Sequence, residues 1–323
     1  MTTTAMSGSS PSGLRSKHLR LADGSFRLLA LGCGLVVLAV LALIAIFTTN
    51  QAWPAFTRDG FSFITSRVWN PSNNQFGALA FIYGTLFTSV IALVLAVPVS
   101  IGMALFITEL APPRLRTPVV YLVDLLAAIP SVVYGLWGVL YLTVPLSKFY
   151  KNVSSFFSGV PLLNHLFRGQ AGRSFFTAGL IVALMITPII TSLTREVFAT
   201  VPLTQKEAAL ALGATRWEMI RSSVLSYGRS GVVGAVMLGL GRAMGETIAV
   251  ALVIGSFANI TISLFQPGDA MASVIANQFG EAGGTFKAAL IGLGVVLFAI
   301  TILINIIARA FVSRSERVAG GAT

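Results

Sequence analysis

The stretch Gly231–Phe257 carries two charged residues, Arg242 and Glu246, within the run Gly239-Leu240-Gly241-Arg242-Ala243-Met244-Gly245-Glu246-Thr247. An arginine presents several N–H donors in a planar fork that suits a tetrahedral oxyanion. On one continuous helix, residues four apart share a face, so Glu246 can pair with Arg242, while Gly241 and Gly245 form a small-xxx-small patch for close helix approach. Glu246 would keep Arg242 neutralised in an empty pathway and repel an anion that lingers. The simpler account is an internal ion pair that fixes packing. Against it, each charge at a bilayer centre costs about 2.5–3.5 kcal/mol, and a buried pair seldom adds net stability over apolar residues. The pattern therefore points to anion passage. Enzyme chemistry has no comparable foothold. Gly-Lys occurs nowhere, which excludes the phosphate-cradling P-loop and an ATPase site in this chain. HExxH and CxxC are absent, the two histidines are His18 and His165, and no nucleophile–base or metal-ligand spacing is present.

What must position Arg242 and Glu246 is a set of membrane helices. Of 323 residues, 55% are hydrophobic and 10% charged, too apolar for an ordinary water-soluble domain. The net charge of +11 lies in short segments between apolar runs, which reads as topology signalling and not as a nucleic-acid surface. Six spans are expected: Leu28–Thr48, Gly77–Thr108, Val119–Pro145, Phe175–Thr194, Gly231–Phe257 and Ala288–Ala308. Counting about 1.5 Å per residue from Gly231 puts Arg242 about half-way through a hydrocarbon core about 30 Å thick. Pro98 and Pro130 fall inside spans, which neighbouring helices or hydroxyls must accommodate, so a packed bundle is expected. Cys33 has no partner and reads as a small apolar residue. Residues 1–27 are expected as a disordered cytoplasmic tail before an uncleaved first span, residues 28–311 as the six-helix permease domain and 312–323 as a second cytoplasmic tail. With the amino terminus inside, Lys and Arg divide fourteen inside to seven outside, which places both termini in the cytoplasm.

That orientation leaves one substantial inner loop, 195–229. Thr204 with Glu207, and Thr215 with Glu218, have capping-box spacing, and Gly213 can end the first of two short helices in a left-handed conformation. Capping alone describes an amphipathic connector lying on the membrane. The residues Glu207-Ala208-Ala209, followed after three residues by Gly213, resemble the EAA loop of binding-protein-dependent ABC importer permeases. In that family the loop is a coupling helix that docks into a groove of the ATP-binding subunit, which assigns ATPase coupling to Glu207, Ala208, Ala209 and Gly213. Ser223, Val224, Leu225 and Ser226 stand where the family pattern has an apolar residue and Leu-Pro.

The run around Arg242, together with Asp124-Leu125-Leu126-Ala127-Ala128-Ile129-Pro130-Ser131-Val132-Val133-Tyr134-Gly135, resembles PstC-type permease subunits of bacterial phosphate importers from about the first span onward. The resemblance implies an all-α ABC importer permease bundle of type I, MetI-like, with Arg242 and Glu246 on the phosphate pathway. It also implies a second, PstA-type permease chain, two PstB-type ATP-binding subunits and a PstS-type phosphate-binding protein on the outer side. ATP and Mg would be bound by the partner subunit, with no cofactor in this chain, in a bacterial inner membrane whose lipid is the remaining partner. Glu109 and Asp124, near cytoplasmic helix ends, read as snorkelling residues. A permease for sulfate or molybdate has the same architecture. An ion-coupled secondary transporter would instead use Arg242 and Glu246 for coupling and leave the Glu207–Gly213 loop unexplained.

Overall fold

The computed structural model describes residues 15–320, and the chain divides into two units at Asn50–Gln51. The first unit is helical: α1 runs Arg15–Asp59, and its apolar side chains from Phe26 to Phe47 are predominantly exposed, as suits a helix solvated by lipid. Residues 15–27, expected as tail, belong to this helix, while residues 1–14 lie outside the described residues.

The second unit opens with the last turns of α1, then α2 (Ser62–Thr65) and a two-stranded hairpin, β1 (Trp69–Asn70) and β2 (Gln75–Phe76), antiparallel with Trp69 opposite Phe76. It continues through α3 (Leu79–Leu105), α4 (Pro113–Ala128), α5 (Ser131–Trp137), α6 (Thr143–Phe156), α7 (Pro161–Phe167) and α8 (Phe175–Ala199). The remainder is α9 (Leu203–Ala211), α10 (Arg216–Met219), α11 (Ser226–Gly245), α12 (Ile248–Val253), α13 (Met271–Gln278) and α14 (Gly284–Gly320). Wider π turns extend α3 (Phe106–Leu110), join α5 to α6 (Gly138–Leu142) and join α10 to α11 (Ile220–Leu225). Among the described residues, six helical stretches are long and apolar enough to cross a membrane: Phe26–Asp59, Leu79–Leu110, Ser131–Phe156, Phe175–Ala199, Arg216–Gly245 and Gly284–Ala310.

The bundle is built around α8. Its buried face, Ala178, Ile181, Val182, Met185, Ile186 and Ile190, repeats at helical spacing and packs with Ile91, Ala92 and Ala96 of α3 and Ala235 and Ala243 of α11. Lipid is as apolar as leucine, so helices there associate by close packing and hydrogen bonds more than by escape from water. Small residues supply that packing. A Cβ on Gly179 would collide with Ile91, and one on Gly239 would lie 2.6 Å from Ile190 Cδ1. Hydroxyls add polar ties where Pro98 and Pro188 sit: Ser100 Oγ of α3 donates to Thr187 O of α8 at 3.1 Å, and Thr191 Oγ1 donates to the same carbonyl at 2.7 Å.

Two expected spans are broken. Val119–Pro145 is not one helix: proline disfavours helical geometry in the residue before it, and Ile129 is extended with ψ 127°. α4 therefore stops at Ala128 and α5 begins at Ser131, with Tyr134 Oη bridging the break to Leu126 O at 2.9 Å. Gly231–Phe257 likewise starts earlier, within the continuous run Arg216–Gly245, and is interrupted at Glu246. At the carboxyl end, α14 continues through residues expected as tail, to Gly320.

Candidate functional site

Arg242 occupies the last turn of α11, where the unpaired carbonyls of a helix end favour a cation. Glu246, the next residue expected on its face, has left the helix: it is extended, with φ −69° and ψ 127°. Glu246 is 8% exposed and its Oε1 accepts from the Ala249 amide at 3.3 Å, serving the start of α12. Thr247 Oγ1 returns to Gly245 O at 3.1 Å and covers a terminal carbonyl of α11. The expected Arg242–Glu246 pair is therefore absent, because pairing required the helix to continue through Glu246. Arg242 is exposed and has neither an ion pair nor a hydrogen bond among the described residues. Among the described residues, a Cβ added to Gly241 or Gly245 would meet no atom of another element within 4 Å. The small-residue patch is open to whatever lies beyond α11.

The break is held by close packing. α12 lies on α5 at Gly135, where an added Cβ would stand 2.7 Å from Ala249 Cα and 2.9 Å from Leu252 Cδ1. A cavity of about 660 Å³ between α3, α4, α5 and α8 is lined by Leu95, Val99, Val123, Val133, Trp137 and Leu184 among others. Its lining includes no charged side chain and offers an anion no counter-charge.

The second candidate site is the inner loop. Pro202, not Thr204, caps α9, with no side-chain bond to the helix, and Thr204 lies within the first turn. A proline at that boundary sets an extended entry without needing a hydroxyl, and so the Thr204–Glu207 box does not form. The other two expectations hold. Gly213 follows the helix end at φ +86°, and its amide donates to Leu210 O at 3.0 Å. Thr215 and Glu218 form a full capping box at the start of α10. In place of the missing Leu-Pro, helical geometry continues unbroken through the π turn Ile220–Leu225 into α11.

Glu207, Ala208 and Gly213 are exposed, whereas Ala209 packs inward on an apolar cluster of Ala104, Phe198, Val201, Met219, Ile220 and Val224. Leu203, Leu210, Leu212 and Trp217 are uncovered around them, with Leu212 89% exposed. Four large apolar side chains around one exposed helix form a surface suited to a protein partner. Lys206, on the same helix, pairs with Glu109 at 2.5 Å. Sequence spacing misses that contact because 97 positions separate the two residues. Asp269 is also missed: 4% exposed, it precedes α13 and accepts from the Ala270 amide at 2.8 Å.

Among the described residues, six helices of membrane-crossing length and apolarity, with an unpaired arginine at a helix break and an uncovered apolar loop helix, define a multi-pass membrane protein. Residues 96–317 match the family model described as "Binding-protein-dependent transport system inner membrane component". The chain is 45% identical over 303 residues, 93% of each chain, to "Phosphate transport system permease protein PstC" of Mesorhizobium japonicum. It is 46% identical over 287 residues to the protein of the same name from Pasteurella multocida, covering 88% of this chain and 89% of that one. Among solved structures, a chain of the bacterial alginate ABC transporter complexed with its pentasaccharide-bound periplasmic protein matches with TM-score 0.60 and 20% identity, over 91% of this chain and 98% of that one. An inward-facing MetNI methionine ABC transporter chain matches with TM-score 0.52 and 15% identity, covering 74% and 94%. The chain belongs to the family of binding-protein-dependent transport inner-membrane components and, within it, to the PstC-type permeases.

Proposed function

We propose that this chain is the membrane-spanning subunit of an ATP-driven importer that moves inorganic phosphate by alternating access. The observation that carries the reading is Arg242: an unneutralised guanidinium at a helix break in an apolar bundle, in a chain 45% identical to a protein named as a phosphate permease. Its donors receive the phosphate oxygens as the anion passes. Glu246 acts through the backbone, setting where α12 starts and so where α11 ends. A second, PstA-type permease chain covers the Gly241–Gly245 patch, and a PstS-type binding protein delivers phosphate from the outer side. ATP and Mg are held by PstB-type subunits that receive α9 through Glu207, Ala208 and Gly213 and the surrounding leucines. Both termini face the cytoplasm. ATP binding closes the nucleotide subunits and, through α9, opens the phosphate pathway beside Arg242 outward; hydrolysis resets it.

The test is uptake of labelled phosphate into proteoliposomes containing the full complex, with ATP inside and sulfate and molybdate as competitors. Phosphate uptake that needs ATP and ignores the competitors is expected, and Arg242→Gln abolishes it while the complex still assembles. Normal uptake by a well-assembled Arg242→Gln complex refutes the site, and uptake that follows an ion gradient without ATP refutes the importer.

A further inference from the structure

The helix α9 is attached to the bundle in three ways. Its chain leads through α10 and the π turn into α11, the helix that carries Arg242. Ala209 sits on the apolar cluster formed by Phe198, Val201, Met219, Ile220 and Val224, and Ser223 Oγ donates to Gln205 O at 3.3 Å. The third attachment is electrostatic. Lys206 Nζ lies 2.5 Å from Glu109 Oε1, with the two side chains 16% and 9% exposed. It is the one ion pair among the described residues. Glu109 belongs to the π turn that ends α3, and Arg116 stiffens the chain just beyond, donating to Thr108 O at 2.9 Å and Ala111 O at 3.2 Å.

An ion pair this covered loses much of its solvation, and an apolar contact like the neighbouring cluster would hold α9 in place at lower cost. What the pair adds is a fixed tie. An apolar surface lets one helix slide over another, whereas a covered ammonium–carboxylate contact cannot be pulled apart without leaving both charges unpaired and poorly solvated. π turns recur at functional sites, and here one lies on each side of α9, at the end of α3 and at the start of α11.

We propose that the Lys206–Glu109 pair is a strut that makes α3 move with α9, so that a displacement of the loop helix reaches α3 and α11 together. The covalent route alone would move α11 past α3. Both helices pack on α8, so their joint movement changes the pathway beside Arg242 as a unit, whereas movement of one alone dissipates the stroke. Lys206 and Glu109 are positioning residues in this account. The proposal rests on α9 being the helix that the ATP-binding subunits engage.

The experiment uses the full complex in proteoliposomes and reads phosphate moved per ATP hydrolysed for Glu109→Gln, Lys206→Gln and the exchanged pair Glu109→Lys with Lys206→Glu. Each single variant should hydrolyse ATP within about twofold of the unmodified complex while the transport ratio falls about tenfold, an ordinary coupling factor between sites. The exchanged pair should recover most of that ratio. Single variants with an unchanged ratio overturn the strut, as does an exchanged pair no better than either single variant. Loss of uptake in step with loss of bound ATP-binding subunits shows a mere anchor and overturns it too. Failure of the underlying reading shows separately: Ala208→Trp, on the exposed face of α9, would then leave the ATP-binding subunits bound.

Discussion

Replacing Gly135 by alanine tests whether the helix break at Glu246 is set by packing. The added Cβ would lie 2.7 Å from Ala249 Cα and 3.3 Å from Ala249 O, both backbone atoms that cannot rotate away. Carbon atoms pack at about 3.5–4.0 Å, so α5 and α12 must part by about 1 Å. Overpacking of this kind costs about 1–3 kcal/mol. The Ala249 amide is 3.3 Å from Glu246 Oε1, already long for an N–H···O bond, and a further shift of that size breaks it. Glu246 would then be buried without its partner and α11 would lose its defined end beside Arg242. Gly135→Ala should therefore lower the melting temperature of the purified complex and cut ATP-dependent phosphate uptake at least tenfold. Gly102→Ala is the control: its Cβ meets no atom within 4 Å, and alanine is favoured over glycine within a helix by about 1 kcal/mol. A Gly135→Ala complex with uptake within twofold of the unmodified one would refute the claim that packing on α5 places the break.

Burial pushes the Asp269 carboxyl up to about 6 from 3.8, against smaller opposing effects of the nearby Ser273 hydroxyl and of the hydrogen bond from the Ala270 amide. Between about pH 4 and pH 6 the folded state holds a proton that the unfolded chain has lost, so this residue's contribution falls as pH rises through that window and then stays flat. Asp269→Asn removes the penalty. Its melting temperature should exceed that of the unmodified complex at pH 7.5, by the equivalent of about 3 kcal/mol, with the gap closing below about pH 4; a gap that widens on acidification contradicts the burial argument. Gly213→Val places a β-branched residue at φ +86° and should cost about 1–3 kcal/mol locally. It should reduce binding of the ATP-binding subunits in co-purification while leaving the melting temperature of the isolated permease pair within a few degrees, and unchanged binding would show that the turn after α9 tolerates other geometries.

How much was legible depends on the range of the interaction. The number of apolar runs, the Gly213 turn and the Thr215–Glu218 box depend on neighbours within a few positions and appear as expected, whereas the third and fifth spans run Ser131–Phe156 and Arg216–Gly245 in place of Val119–Pro145 and Gly231–Phe257. Arg242 stood out for the same reason, as a charge in a stretch that otherwise has only Glu246. The broken third span was half legible: Pro130 marked a bend, while the complete stop reflects an extended Ile129 that Tyr134 then bridges. The pairing of Arg242 with Glu246 assumed a helix that the tertiary structure ends one residue too soon, and no local signal marks that end, since Gly245-Glu246-Thr247 is compatible with helix. Its position comes from α12 seated on Gly135 of α5, more than a hundred residues earlier. The Lys206–Glu109 pair arises in the same way, across 97 positions. The sequence by itself determined the solvent, the number of apolar helices and the family, because transfer into lipid and local capping are properties of short segments. Only the tertiary structure decided which charges meet, because a charge pair depends on how distant helices end and pack.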